Sequence, residues 1–247
     1  IQATLSGQAY GLALQFADTV GQEVSIYRGW HAERRVDGVV VCDHQIDDPR
    51  LPVLSALELP VVVLAPPLPE YPSFSYVWSD ETRTAEQLVG HLRERGHRRV
   101  ARVSGPEPLM HTRRRTAAVT AAAEAAGLVC ETMAADYTGS AGARTVRKLL
   151  SSRNRPTAVV FDNDLMAVAA LSVAREMGVP VPERLSIIAW EDSALCRTVR
   201  PAVTVLQRDI VDYGRNCTSA LLSHIADGIP VSRRLPEATL ILRESSR

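Results

Sequence analysis

Short apolar runs alternate with amphipathic stretches along this chain, and that alternation limits its possible folds more than any other feature. Gly38–Cys42, Leu59–Leu64, Val100–Val103 (broken by Arg102), Ala158–Phe161 and Leu185–Trp190 are mostly apolar runs, rich in β-branched residues. A strand that is apolar at nearly every position has both faces covered, as in a parallel sheet between helix layers. Between the runs the period becomes helical. In Thr84–Arg95, Ala85, Leu88, Val89 and Leu92 fall at i, i+3, i+4 and i+7, and Gly96 follows as a stop. The spacing predicts further helices over Arg113–Ala126, Gly142–Leu150, Asp164–Met177 and Asp209–Ala226, with Gly127, Gly178 and Gly228 as stops after three of them. The βαβα order implies a mostly parallel α/β architecture, in which ligands bind at the carboxyl ends of the strands. At the start, Ile1–Gln8 reads as the later part of a helix and Leu12–Phe16 as a strand. A helix that opens without an N-cap leads us to expect a preceding segment.

Charge and chemistry narrow the function. In 247 residues, 28 Lys+Arg balance 28 Asp+Glu, which argues against a broad cationic face for DNA or an anionic membrane. No apolar run approaches the roughly 18–20 residues that cross a bilayer, and no signal-peptide pattern opens the chain. Every basic residue except Lys148 is arginine. The four cysteines, at 42, 130, 196 and 217, form no CxxC pair and read as reduced thiols of a cytoplasmic protein. The six histidines show no metal-ligand spacing, and Cys42 with His44 has no second pair to complete a tetrahedral set. There is no GxSxG, P-loop, HExxH or GxGxxG. We therefore expect neither a metal, nor a cofactor, nor an enzyme.

Nine strings, in order across essentially the whole chain, resemble the effector-binding core of the LacI-type family of bacterial transcription regulators. They are Glu33–Val41, Val77-Trp78-Ser79-Asp80, Leu92–Val100, Ser104-Gly105-Pro106 with Arg115 beyond it, Arg155–Val159, Asn163–Ala167, Val179–Ile188, Leu206-Gln207 and Leu235–Ser245. The resemblance implies an α/β fold of the type I periplasmic-binding-protein kind: two doubly wound parallel-sheet subdomains, joined by three crossovers, flanking a ligand cleft. Carried over, residues 1–104 with 206–232 form one subdomain, lacking its first strand, and 105–205 with 233–247 form the other. It also implies a homodimer that binds a small polar effector, such as a sugar or nucleoside, and that reaches operator DNA through a helix-turn-helix head outside these residues. No membrane partner is implied. The alternative is a solute-binding protein of a transporter with the same fold.

The resemblance also nominates residues. Arg115 matches the family's cleft arginine, whose fork of donors suits vicinal hydroxyls or a carboxylate. Asp80, in Val77-Trp78-Ser79-Asp80, matches a cleft position and can also cap the helix it precedes. Tyr137 stands where an aromatic stacks on the ligand. Asn163 offers an amide that both donates and accepts, with Asp164 beside it as the expected cap. Glu191 replaces a family aspartate, because the usual Gly-aromatic-Asp-Asp is here Ala189-Trp190-Glu191-Asp192. Trp78, His111, Phe161, Trp190 and Gln207 are further candidates for the ligand's surroundings.

Overall fold

The computed structural model describes residues 1–246. In chain order its elements are α1 (Gln2–Leu5), α2 (Val20–Ala32), β1 (Val39–Val41), α3 (Arg50–Ala56), β2 (Val61–Val63), β3 (Ser75–Ser79), α4 (Glu81–Glu94), β4 (Arg99–Ser104), α5 (Met110–Ala125) and β5 (Val129–Ala134). There follow α6 (Gly139–Ser151), β6 (Ala158–Phe161), α7 (Asp164–Glu176), β7 (Ser186–Ala189), α8 (Ala194–Thr198), β8 (Thr204–Gln207), α9 (Ile210–Asp227), β9 (Ser232–Leu235) and β10 (Thr239–Ile241). The chain divides into two compact units, Ile1–Ser79 with Asp209–Pro236 and Asp80–Arg208 with Glu237–Arg247.

The first unit holds a four-stranded parallel sheet in the order β1-β2-β3-β9. Its valine runs serve both faces. Val61 and Val63 pack with Tyr27, Leu51 and Leu54 on one side, while Val62 packs with Cys217 and Ala220 of α9 on the other. The strand expected at Leu12–Phe16 is not formed. The segment pairs with no strand among the described residues, and Leu14 and Phe16 are 80% and 98% exposed. An isolated extended segment has no ladder to satisfy its backbone, so an apolar pattern alone does not make it a strand.

The second unit holds a six-stranded sheet in the order β10-β8-β7-β6-β4-β5, parallel except for the edge strand β10. One face buries Val103, Val159, Phe161 and Ile187 against α6 and α7. The other buries Val100, Val160, Ile188 and Trp190 against Leu88, Leu92, Val119 and Ala123 of α4 and α5. The first boundary differs from the expected one. Strand β4 pairs along its whole length with β5 and with β6, so residues 80–104 belong to this second unit and the chain enters it at Asp80.

Candidate functional site: the carboxyl edge of the six-stranded sheet

From β4 the chain passes through α5 to β5 on one side of the sheet, then through α6 to β6 on the other side of β4. The β4–β6 pair is thus a point where the connections diverge, and the crevice outside such a point is where open α/β sheets receive ligands. At the carboxyl ends of these strands lie Ser104-Gly105, Asp162-Asn163 and Glu191-Asp192, with Tyr137 just past β5.

A buried ion pair frames the crevice. Arg102 and Asp162 have no exposed side-chain surface; Arg102 Nε and Nη2 donate to the two Asp162 oxygens at 3.0 and 2.7 Å. Arg102 also donates to Thr116 Oγ1, and Asp162 Oδ2 accepts the Gly105 N–H at 2.9 Å. A charge in the middle of a buried strand is tolerated only when paired and hydrogen-bonded. The polar break at Arg102 was the visible signal for this pair, although its partner was not legible.

Gly105 is held there for a reason. A Cβ on it would stand 2.0 Å from the Tyr137 Cζ, so the tyrosine ring rests on bare backbone. Tyr137 adopts φ 67°, which is uncommon for a side-chain-bearing residue. Its hydroxyl lies 2.7 Å from His111 Nε2 and 3.3 Å from Thr112 Oγ1. Its carbonyl accepts the Asn163 Nδ2–H at 2.8 Å. Asn163 Oδ1 accepts from Met166 N at 3.0 Å, so Asn163 caps α7 and Asp164 occupies its first turn, the reverse of the expected division of labour.

One turn after His111 on α5, Arg115 is buried, and its guanidinium carbon lies 5.3 Å from the centre of the Trp190 ring. Glu81 opens α4, where the helix dipole favours an anion. Its Oε1 accepts from Arg208 Nη2 at 2.9 Å and lies 3.6 Å from Arg115 Nε. Burial pushes the Glu81 carboxyl up, but the Arg115 and Arg208 guanidiniums outweigh it and hold it below the usual range. Burial raises the Glu191 carboxyl, with Arg115 and Arg208 opposing. Asp192 is set apart from its neighbour. Arg243 Nη1 and Nη2 donate to its two oxygens, each at 2.8 Å, a fixed structural clasp.

Of the nominated residues, His111, Arg115, Tyr137, Asn163, Trp190 and Glu191 gather in this unit around the sheet's carboxyl edge. Asp80 accepts from Thr82 N at 2.9 Å and caps α4. Gln207 donates to Asp192 Oδ2 at 3.3 Å. Phe161 is wholly buried, packed in the core between the sheet and α6 and α7. Trp78 lies in the other unit, with the Arg234 guanidinium 5.4 Å from its ring centre. Glu81 and Arg208 escaped the sequence reading. They are separated by most of the unit's length, and nothing in their local strings marks them as partners.

The comparisons with known proteins agree with this architecture. Residues 89–246 match the profile of the periplasmic binding protein-like domain. The HTH-type transcriptional repressor CytR of Escherichia coli K12 is 27% identical over 259 residues, covering 100% of this chain and 73% of that protein. The HTH-type transcriptional regulator CelR of Thermobifida fusca is 32% identical, covering 88% of this chain and 65% of that protein. Among solved structures, a LacI family transcriptional regulator from Bifidobacterium animalis subsp. lactis is 35% identical with a TM-score of 0.91, covering 99% of this chain and 90% of that one. A CelR–cellobiose complex is 30% identical with a TM-score of 0.89, covering 99% and 76%. The chain belongs to the LacI family of transcriptional regulators and carries that family's periplasmic-binding-protein-like domain.

Proposed function

We propose that the chain is the ligand-sensing part of a LacI-type regulator. It takes a small polar effector, a saccharide or nucleoside, at the carboxyl edge of its six-stranded sheet. The observation that carries this reading is the convergence of Arg115, Tyr137, Asn163 and Glu191 on one divergence point of the sheet. Arg115 and Glu191 supply charge-assisted contacts to hydroxyls, and Tyr137 supplies an aromatic face for a ring. That a related regulator was solved with cellobiose supports a carbohydrate. Asn163 orients Tyr137 and α7, and its second N–H and second lone pair are left for the effector. In this reading the regulator is a cytoplasmic homodimer, and DNA recognition belongs to a helix-turn-helix segment outside these residues. The effector acts by favouring one conformational state over another through differential contacts.

A melting screen against neutral mono- and disaccharides and nucleosides tests the reading. A ligand at about 100 times its Kd adds roughly 2.7 kcal/mol of stability, an upward shift of several degrees in Tm. The same ligand should be recovered chemically unchanged. Conversion of the ligand to a product would replace the sensor reading with an enzymatic one.

A further inference from the structure

An arginine alone at a binding site recruits carboxylates and phosphates, because its planar fork matches them. Arg115 is not alone. Glu81 stands 3.6 Å from its Nε and is bridged at 2.9 Å to Arg208. The charged groups of the cluster therefore balance: Arg114, Arg115 and Arg208 against Glu81, Glu191 and Asp164, while Arg102 and Asp162 form a separate pair. Further negative charge brought to Arg115 would meet a guanidinium already shared with Glu81 and would lie beside the Glu81 carboxylate, and burying a poorly compensated charge is costly.

The hydrogen-bonding capacity points the same way. Three buried side-chain atoms of the cluster make only long or poorly aligned contacts: Arg115 Nε lies 3.6 Å from Glu81 Oε1, and Glu81 Oε2 and Trp190 Nε1 form no hydrogen bond of normal geometry, although the indole helps to hold the Glu81 carboxyl down. One is an acceptor and two are donors. An ionised carboxylate oxygen or phosphate oxyanion can only accept, and any anion would face the Glu81 oxygen with like charge. A hydroxyl donates and accepts, so it complements the set.

We propose that Glu81 sets the charge class of the effector: by neutralising Arg115 it selects an uncharged, hydroxyl-bearing group there and rejects sugar acids, sugar phosphates and nucleotides. This deepens the sensor reading and rests on it.

Inorganic phosphate is the probe, titrated at fixed ionic strength near neutral pH into the whole 15N-labelled chain. The Arg115 Nε–H and Trp190 Nε1–H resonances are followed. In the unsubstituted protein both should stay unmoved. In Glu81→Gln, which keeps the shape and removes the charge, both should shift saturably over the concentration range in which the unsubstituted protein shows no response. Glu81→Gln combined with Arg115→Ala should lose the response. Glu81→Ala serves in place of the glutamine variant if melting shows that variant unfolded. Saturable phosphate binding at these two groups in the unsubstituted protein, or no gain in a folded Glu81 variant, would overturn the assignment. The two readings fail separately. A sugar acid or sugar phosphate preferred over its neutral parent refutes the role of Glu81 and upholds the sensor. Failure of every saccharide and nucleoside to bind removes the sensor reading and leaves the phosphate result standing.

Discussion

Arg102 and Asp162 are removed from water, and each is satisfied by the other and by a few neighbouring groups. Arg102→Met leaves Asp162 as a buried carboxylate without its cation, and should cost about 3–5 kcal/mol in urea denaturation. Arg102→Met combined with Asp162→Asn should recover most of that loss. The asparagine carbonyl still accepts the Gly105 N–H and no charge remains buried. A double variant as unstable as the single one would show that the frame depends on the ion pair itself and not on polar satisfaction. At this scale the sequence was partly legible. Arg115, Tyr137 and Glu191 were nominated by their positions in strings that resemble a family, and all three lie at the sheet's carboxyl edge. Glu81 was not nominated, since it matters through Arg115 and Arg208, and neither pairing follows from local spacing.

At the scale of elements, α6 and α7 approach closely because Gly142 has no side chain. A Cβ there would meet Met166 Cα, Cβ and O at 2.6, 2.7 and 2.9 Å. Gly142→Ala should therefore destabilise by about 1–3 kcal/mol, the usual cost of overpacking, measured as a fall in Tm. Helix α4 and the loop that joins it to β4 also carry two imidazoles. His91 Nε2 lies 3.1 Å from Ser246 Oγ, and His97 bridges Thr157 Oγ1 at 2.8 Å and Ser186 Oγ at 3.2 Å. Burial lowers both pKa values, with Arg95 adding to the effect at His91 and His91 adding to it at His97, while Glu94 opposes at His91. A depressed pKa means that the unfolded chain binds the proton first. Stability is then full above the ordinary histidine range, near 6.5, and falls as pH drops through it. His97→Gln should flatten the slope of stability against pH between about 7 and 5; an unchanged slope would exclude His97 as a contributor. The long apolar runs and periodic helices were readable because burial on both faces leaves a continuous signature. The segment Leu12–Phe16 was misread because a strand needs a ladder partner, which its own pattern does not report. The first unit boundary was misplaced because β4 looks alike in either sheet until its partners are known.

At the scale of the whole molecule, each unit is an α/β layer structure with its own core, and none of the described helices is long and apolar enough to cross a membrane. Family membership gives the class of function, a regulator, and the carboxyl edge of the second unit's sheet is where the proposed effector site lies. In the proposed reading the specificity of that site depends on charge balance, since Arg115 and Arg208 share Glu81. In the sensor reading Arg115 contacts the effector. Calorimetric titration of the strongest stabilising ligand from the melting screen, against the unsubstituted chain and Arg115→Ala, tests it most directly. Loss of a charge-assisted contact is worth about 1.5–3 kcal/mol. The account predicts at least a tenfold rise in Kd with the variant still folded. An unchanged Kd in a folded variant would place the effector elsewhere and contradict it.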